Sequence, residues 1–178
     1  MSERTRLTAD DIKRELGLAP HPTCGFVTEA YAAQRRIPAS ALPPDYGGDR
    51  AEALVLYFLV THDVRIRLHR IRSDQMYHHY LGDPLAVLMV PPGEVPRVAT
   101  VGRDLANGMR PQLLLPGGTW HVSRVVPGGD YALLGTTEWP GFDPADLDLG
   151  DAGELAERHP EVATTLSAFV GANPPAPA

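Results

Sequence analysis

Proline and glycine are spread along the whole chain and divide it into short apolar segments. The 178 residues include 18 prolines and 17 glycines, and neither residue type is well tolerated inside a helix. The apolar segments between them have the lengths of strands. We predict strands at residues 25–32, 53–60, 64–72, 75–81, 85–90, 97–101, 112–115, 121–126 and 131–137. This series predicts a mainly β fold, an antiparallel sandwich or barrel whose strand count suits a jelly roll.

Helices are predicted only near the two ends of the chain. Thr8 and Asp11 have the spacing of a capping box, and Gly17 is placed to end the short helix that follows. Residues 151–170 have apolar side chains at helical spacing, interrupted by Pro160. We therefore expect short N-terminal and C-terminal helices.

Two patterns predict details of the strands. Residues 64–72 alternate, with Val64, Ile66 and Leu68 on one face and Arg65, Arg67 and His69 on the other. The alternation alone does not decide which of these faces lines the interior. Residues 75–81 and 85–90 flank the turn sequence Gly82-Asp83-Pro84, and this arrangement predicts a hairpin of two paired strands.

The charge balance argues against nucleic-acid and membrane partners. The chain has 22 acidic and 16 basic residues, a formal net charge of -6, and no run of basic residues. Nucleic acids and anionic membranes are bound by basic surfaces. No apolar segment is long enough to span a bilayer, and residues 1–8 lack the apolar core of a secretion signal. We expect a cytoplasmic protein that binds a small-molecule ligand.

Two single residues limit the chemistry. Cys24 is the only cysteine in the sequence, which excludes an intrachain disulfide and a cysteine-based zinc cluster. We expect its thiol to be buried and inert rather than nucleophilic. Lys13 is the only lysine and lies in the predicted N-terminal helix, so Schiff-base catalysis is not expected.

The most informative local motif is Pro116-x-Gly118-x-x-His121. A tight turn here delivers a histidine to the start of a strand, where it points into a barrel. This motif resembles the second of the two cupin motifs. The first cupin motif has two histidines followed by a glutamate and a glycine; Gln75 and Gly82 have the glutamate–glycine spacing, with His69 upstream.

A wider set of residues in matching order and spacing extends from His21 to about Phe169. It comprises His21, Pro22, Gly25, Glu29, Tyr31, Tyr57, Phe58, Leu59, His69, Arg70, Ser73, Asp74, His78, Tyr80, Gly82, Asp83, Pro84, Leu85, Gly102, Gly108, Pro111, Gln112, Pro116, Gly118, Trp120, Pro140, Gly141, Phe142 and Asp143. In combination they resemble a small family of the cupin superfamily of unknown function. The resemblance implies a double-stranded β-helix jelly roll, often a homodimer, with a pocket like those of sugar epimerases. We expect one cupin domain at residues 1–172 and a disordered tail at 173–178.

The chain departs from that family at two positions. In the family a glutamate normally follows the Ser-Asp pair, and this chain has Gln75 there. A glutamine normally follows the position of Trp120, and this chain has His121 there. Histidine is a common neutral metal ligand, whereas glutamine is a poorer ligand than a carboxylate. One divalent metal held by His69, His121 and Gln75 is therefore an alternative, with His78 or His79 as a further ligand. This set lacks an anionic member.

The same residues also predict acid–base catalysis. His69 or His121 could exchange a proton with a substrate carbon or hydroxyl, because imidazole titrates near neutral pH. Tyr77 or Tyr80 would then be the opposing acid. Glu29 on the first long strand is a further candidate base, because a carboxylate in an apolar barrel has a raised pKa; pairing with a surface arginine would explain it equally well.

Other side chains are candidates for substrate binding. They are Gln75, Arg65, Arg67, His79 and Trp120. Arginines could neutralise an anionic substrate group, although they more often lie on the solvated face of a sheet. Only one of the adjacent His78 and His79 can face a given site, since strand neighbours point to opposite faces. Trp120 is either core packing or a pocket wall. Glu138, Asp143 and Asp146 follow the last predicted strand, so we expect them to be exposed.

Two functions agree with these patterns. The first is an enzyme, a cupin isomerase, epimerase or lyase that acts on a small polar, carbohydrate-like metabolite through histidine acid–base chemistry, with or without a metal. The alternative is a cupin that binds a metabolite without transforming it. Gln75 favours the alternative, because it replaces the charged residue of the family.

Overall fold

The computed structural model describes residues 6–170. Its thirteen strands are β1 (Ala19–His21), β2 (Gly25–Ala32), β3 (Arg36–Ile37), β4 (Arg50–Ala51), β5 (Leu54–Thr61), β6 (Ile66–Ile71), β7 (Asp74–Gly82), β8 (Leu85–Val90), β9 (Arg97–Val101), β10 (Gln112–Leu115), β11 (Trp120–Val125), β12 (Tyr131–Trp139) and β13 (Leu147–Leu149). The helices are α1 (Ala9–Leu16), α2 (Ala152–Arg158) and α3 (Ala163–Val170). The tail predicted at residues 173–178 lies outside the described residues.

The strands form two facing antiparallel sheets. The six-stranded sheet has the order β1-β2-β5-β12-β7-β10, and the five-stranded sheet has the order β13-β6-β11-β8-β9. A small separate pair joins β3 to β4. Strands that are distant in sequence are neighbours in both sheets, which is the jelly-roll arrangement. The predicted mainly β jelly roll with short terminal helices is confirmed.

The predicted hairpin of β7 and β8 is wrong. β7 pairs with β12 and β10, whereas β8 pairs with β11 and β9 in the other sheet. The chain therefore crosses between sheets at residues 83–84. The burial of β8 explains this position: Leu85, Val87 and Met89 pack between the sheets, while Leu88 and Val90 pack under the C-terminal helices. A strand that is apolar on both faces needs cover on both faces.

Three apolar clusters hold the layers together. The largest fills the space between the sheets and includes Phe58, Val87 and Leu134. A second packs α2 and α3 against the outer face of the five-stranded sheet. A third packs α1 on the outer face of the six-stranded sheet through Ile12. Thr8 and Asp11 form the predicted capping box of α1, and Gly17 ends this helix with a φ of 63°.

A β-bulge in β6 changes which side chains face the interior. His121 on β11 lies opposite His69, but Ser123 lies opposite Ile66, so β6 has one extra residue between these pairs. Ile66 consequently packs in the cluster between the sheets and Leu68 in the cluster outside them. His69 faces the interior like Ile66, although simple alternation places these two residues on opposite faces.

None of the helices in residues 6–170 is long and apolar enough to cross a membrane. The structure contains one chain, so the predicted homodimer stays a prediction.

A buried ion pair fixes the segment that leads into β13. Arg50 donates to Asp146 through Nε at 2.7 Å and through Nη2 at 2.8 Å, and both side chains are buried. Arg72 donates to the same carboxylate at 3.2 Å. Asp146 was expected to be exposed; it is instead 1% exposed, and its carboxylate is bonded to Arg50 of β4 and to Arg72, the residue after β6.

We predict that Asp146→Asn lowers the free energy of unfolding by about 3 to 5 kcal/mol, because the substitution leaves the Arg50 guanidinium buried without a counter-charge. Urea unfolding measures this change. Asp148→Asn is the matched control, since Asp148 pairs with Arg70 at 2.8 Å on the surface, and its loss should cost about 1 kcal/mol or less. Equal effects of the two substitutions would contradict the assignment.

Candidate functional site

A small cavity lies between the two sheets at the end where β1, β6, β7 and β12 meet. Its volume is about 50 Å³, which is room for a few heavy atoms. Apolar side chains form most of the wall. The residues that line it are His21, Thr23, Cys24, Val27, Leu56, Phe58, Ile66, His69, Ile71, Gln75, Tyr77, Thr136, Glu138, Phe142 and Leu147.

The turn between β1 and β2 brings His21 and Cys24 to this cavity. Gly25, the first residue of β2, has a φ of 74°, and a Cβ atom there would lie 2.5 Å from the carbonyl oxygen of Leu59. Only glycine fits this close approach to β5. Burial raises the pKa of the Cys24 thiol to about 12, so it stays protonated near neutral pH, as expected for an inert thiol.

His121 lies behind the cavity rather than in its wall. The turn before β11 has Gly118 at a φ of 77° and delivers His121 to a fully buried position. Its Nδ1 lies 3.1 Å from the carbonyl oxygen of Thr119, which can only accept a hydrogen bond. Nδ1 therefore donates, and Nε2 accepts from the Tyr77 hydroxyl at 3.2 Å. Burial, followed by the electrostatic effect of the neighbouring His69 ring, which opposes protonation of both rings together, lowers the pKa of His121 well below its usual value.

His69 is a neutral acceptor in the cavity wall. Its Nδ1 lies 2.7 Å from the carbonyl oxygen of Arg67, so Nδ1 carries the proton and Nε2 has a free lone pair. Burial lowers the pKa of His69 to about 4. The ring centroid lies 4.2 Å from that of His121, so the two predicted histidines are in contact, but only His69 lines the cavity.

Tyr77 is poorly suited to be the opposing acid. Its hydroxyl proton is directed to His121, and its ring packs on Phe58 with 4.9 Å between centroids. Burial raises the pKa of Tyr77 well above its usual value. Tyr77 and His121 thus form a hydrogen-bonded pair that supports the cavity wall.

Glu138 was expected to be exposed after the last strand, and this expectation is wrong, because Glu138 is a buried titratable residue of the cavity wall. β12 extends beyond the predicted end at residue 137, so Glu138 lies in a strand and directly opposite Gln75 of β7. Each of these two side chains is only 5% exposed, and both line the cavity. A signal was present in the sequence: the inward positions Ala132, Leu134 and Thr136 alternate, and the next inward position is residue 138.

The environment of Glu138 raises its pKa. Burial raises this pKa to about 7, against a smaller lowering by the backbone N–H of Phe142. Its Oε2 has no hydrogen-bond partner within the described part of the chain. With a pKa of about 7, the Glu138 carboxyl group is about half protonated at neutral pH.

The remaining predicted site residues lie elsewhere. Glu29 is exposed on β2, and Arg67 is exposed beside the bulge. Arg65 donates to the carbonyl oxygen of Phe169 at 2.7 Å at the end of α3. His79 lies 3.0 Å from the carbonyl oxygen of Asp83, and Trp120 packs with the cluster outside the five-stranded sheet. None of these residues lines the cavity, because their strand positions or the bulge direct them outward.

The predicted metal ligands do not form a suitable set. Within residues 6–170, no group of three or more His, Cys, Asp or Glu side chains is arranged to hold a metal ion. Both ring nitrogens of His121 already have hydrogen-bond partners, which leaves His69 and Gln75 as the other two members. An amide and one imidazole do not fit a divalent metal site.

Comparisons with solved structures agree with the architecture. A hypothetical protein from Leishmania major is 26% identical, with a TM-score of 0.82, and the match covers 92% of this chain and 98% of that one. A protein from Shewanella oneidensis is 28% identical, with a TM-score of 0.78 over 92% of this chain and 97% of that one.

A variant of oxalate decarboxylase from Bacillus subtilis shares the fold at 12% identity, with a TM-score of 0.50 over 85% of this chain and 37% of that one. No curated protein sequence matches the chain. The model of one cupin superfamily family, DUF985, matches residues 10–150. This match spans most of the chain and confirms the resemblance drawn from the sequence. The protein therefore belongs to the DUF985 family of the cupin superfamily.

Proposed function

We propose that this cupin is a proton-transfer enzyme, an isomerase, epimerase or lyase that acts on a small polar, carbohydrate-like metabolite. The observation that supports the proposal is the pairing of Glu138 and His69 across one cavity. The two residues come from facing sheets and line the same space. Their environments give them different protonation states near neutral pH, which is the usual arrangement of an acid–base site.

Glu138 is the proton carrier in this proposal. A general acid or base works best when its pKa lies near the working pH, and the pKa of Glu138 is about 7. His69, with a pKa of about 4, stays neutral and accepts a hydrogen bond from a substrate hydroxyl through Nε2. Neither the proton transfer by Glu138 nor the hydrogen bond to His69 requires a metal ion.

His121 and Tyr77 are positioning residues in this scheme. Their mutual hydrogen bond occupies the atoms that catalysis would need. The His121 ring, in contact with His69, limits the tilt of that ring in the cavity wall. The proposal therefore moves acid–base chemistry from the pair His69 and His121 to the pair His69 and Glu138.

One observation favours the alternative, binding without turnover. The Gln75 amide is buried and lines the cavity. An amide supplies both a donor and an acceptor and does not titrate, so it can hold a ligand but cannot transfer its proton. The two proposed functions predict different effects of replacing Glu138. Catalysis predicts a change in turnover, whereas binding alone predicts only a change in affinity.

Stability should report the raised pKa of Glu138 directly. A carboxyl group whose pKa is higher in the folded state stabilises the fold below its unfolded pKa, and this stabilisation is lost as pH rises through the folded pKa. We predict that the free energy of unfolding, relative to Glu138→Gln, falls by about 3 kcal/mol between pH 4.5 and pH 7 and is level above that range. Urea unfolding at several pH values measures it.

Other titrating groups near Glu138 do not obscure this prediction. Cys24, Tyr77, His21 and His69 share the cavity with it, and each is present in both proteins that are compared. The depressed pKa of His69 gives the opposite slope, a loss of stability as pH falls below about 6.5, but this slope cancels in the difference. Glu157→Gln, on the exposed side of α2, is the control. A flat difference would contradict a raised pKa.

Proton exchange tests the catalytic role. Aldoses and ketoses incubated with the protein in D₂O should lose their α-protons, as followed by NMR. Glu138→Gln should reduce the enzymatic rate by about 10² to 10⁴, the usual contribution of a general acid or base. For the wild-type protein the rate should rise with pH up to about 7, because the carboxylate is the form that removes a proton.

A double substitution separates the carboxyl group from its position. Gln75→Glu combined with Glu138→Gln transfers the carboxyl group to the directly opposite residue of β7. We expect this protein to recover part of the rate that Glu138→Gln loses, since the group still faces the cavity. An unchanged rate in Glu138→Gln, once a substrate is found, would refute acid–base catalysis by this residue.

A further inference from the structure

No lysine or arginine lines the cavity among residues 6–170. Among the described residues that line it, the polar groups are three hydroxyls, one thiol, one amide, one carboxyl and two imidazoles. The arginines predicted to bind substrate are directed elsewhere: Arg67 is exposed, and Arg65 is bonded to the end of α3. An anionic group that entered this space would lose its water without gaining a counter-charge. It would also face the carboxyl group of Glu138.

His21 offers a hydrogen-bond donor to this space. Its Nδ1 lies 3.3 Å from the backbone nitrogen of Thr23 and 3.0 Å from the Thr23 hydroxyl. A backbone N–H can only donate, so Nδ1 is an acceptor and the neutral ring has its proton on Nε2. Burial lowers the pKa of His21, which favours this neutral form.

His21 and His69 therefore present opposite hydrogen-bonding groups. His21 offers Nε2–H, and His69 offers the lone pair of Nε2, because its Nδ1 donates to the carbonyl of Arg67. A carbonyl oxygen needs a donor, and a hydroxyl group can satisfy an acceptor. We infer that the substrate presents an uncharged α-hydroxycarbonyl group to the cavity, with its carbonyl oxygen bound by Nε2–H of His21; this inference rests on the proposed function.

The reaction step balances without a cofactor. The carboxylate of Glu138 removes the proton from the carbon next to the carbonyl, and the electrons of that C–H bond form the carbon–carbon double bond of an enediolate. The carbonyl electrons move to oxygen, where Nε2–H of His21 stabilises the negative charge. Glu138 then returns the proton to the same carbon or to the former carbonyl carbon. When the proton returns to the former carbonyl carbon, His69 takes the proton of the substrate hydroxyl and passes it to the former carbonyl oxygen. The former hydroxyl oxygen then becomes the new carbonyl oxygen.

The size of the cavity restricts the part of the substrate that enters it. A volume of about 50 Å³ corresponds to roughly two water molecules at about 30 Å³ each. A whole triose is larger than this space, so only the reacting end of a sugar or of a short hydroxyaldehyde can enter it. D-glyceraldehyde and dihydroxyacetone are therefore suitable neutral probes. Tartronate semialdehyde and hydroxypyruvate are the matched anionic probes, because in each a carboxylate replaces one CH₂OH group beside the reacting carbons.

The test compares these four compounds with the full-length protein. Exchange of α-protons in D₂O is followed by NMR, and the rate with Glu138→Gln is subtracted as background. Binding is followed separately through the ring signals of His21 and His69. We expect the neutral compounds to exchange and bind, and the two carboxylates to bind at least about 100-fold more weakly, as expected for burial of an unpaired charge.

Each result has a distinct meaning. Equal or tighter binding of the two carboxylates, or no binding of any of the four compounds, would overturn the inference that the substrate is uncharged. Binding of the neutral compounds without exchange would support the ligand class but overturn the proposed proton transfer. Preferential exchange of the neutral compounds would support both.

Substitutions at His21 test the carbonyl contact. His21→Phe should lower kcat by about 10² to 10³, as removal of one donor to a developing oxyanion does, with a smaller change in KM. His21→Gln keeps an N–H donor and should recover part of kcat, which a purely structural role would not predict. Identical kcat values for these two variants would overturn the role of His21.

Discussion

Exclusion of water from the space between the two sheets is the constraint on which the rest of the structure depends. The same apolar cluster that holds the sheets together surrounds the polar groups at one end of that space. Burial is the first cause of each shifted pKa there, raising that of Glu138 and lowering those of His69 and His121. The stability of the sandwich and the chemistry of the cavity thus have one physical origin.

This arrangement has a cost in stability. A carboxyl group held between apolar walls destabilises the fold once it ionises, and its Oε2 has no partner in the described chain. The Arg50–Asp146 ion pair fixes the segment before β13, whose Leu147 closes one side of the cavity. The same protein therefore contains a buried carboxylate with arginine partners, which fixes a segment, and a buried carboxyl group without one, which is the proposed proton carrier.

Much of the fold could be predicted from the sequence. Proline and glycine positions marked the ends of most strands, and the Thr8–Asp11 and Gly17 signals defined α1, because these depend on local geometry. The pairing of β7 could not be predicted in the same way. A turn sequence shows that the chain changes direction, but burial on both faces of β8 decides which sheet it joins.

The same distinction between local sequence signals and long-range packing applies to the candidate site. The sequence by itself determined which side chains were available: His69, Gln75 and Tyr77 were all predicted site residues, and all line the cavity. Only the tertiary structure decided their roles. The β6 bulge turned His69 inward, the extension of β12 buried Glu138 opposite Gln75, and the contact with Tyr77 occupied His121. Protonation states and hydrogen-bond partners depend on neighbours from distant strands, and residue spacing along one strand does not specify these neighbours.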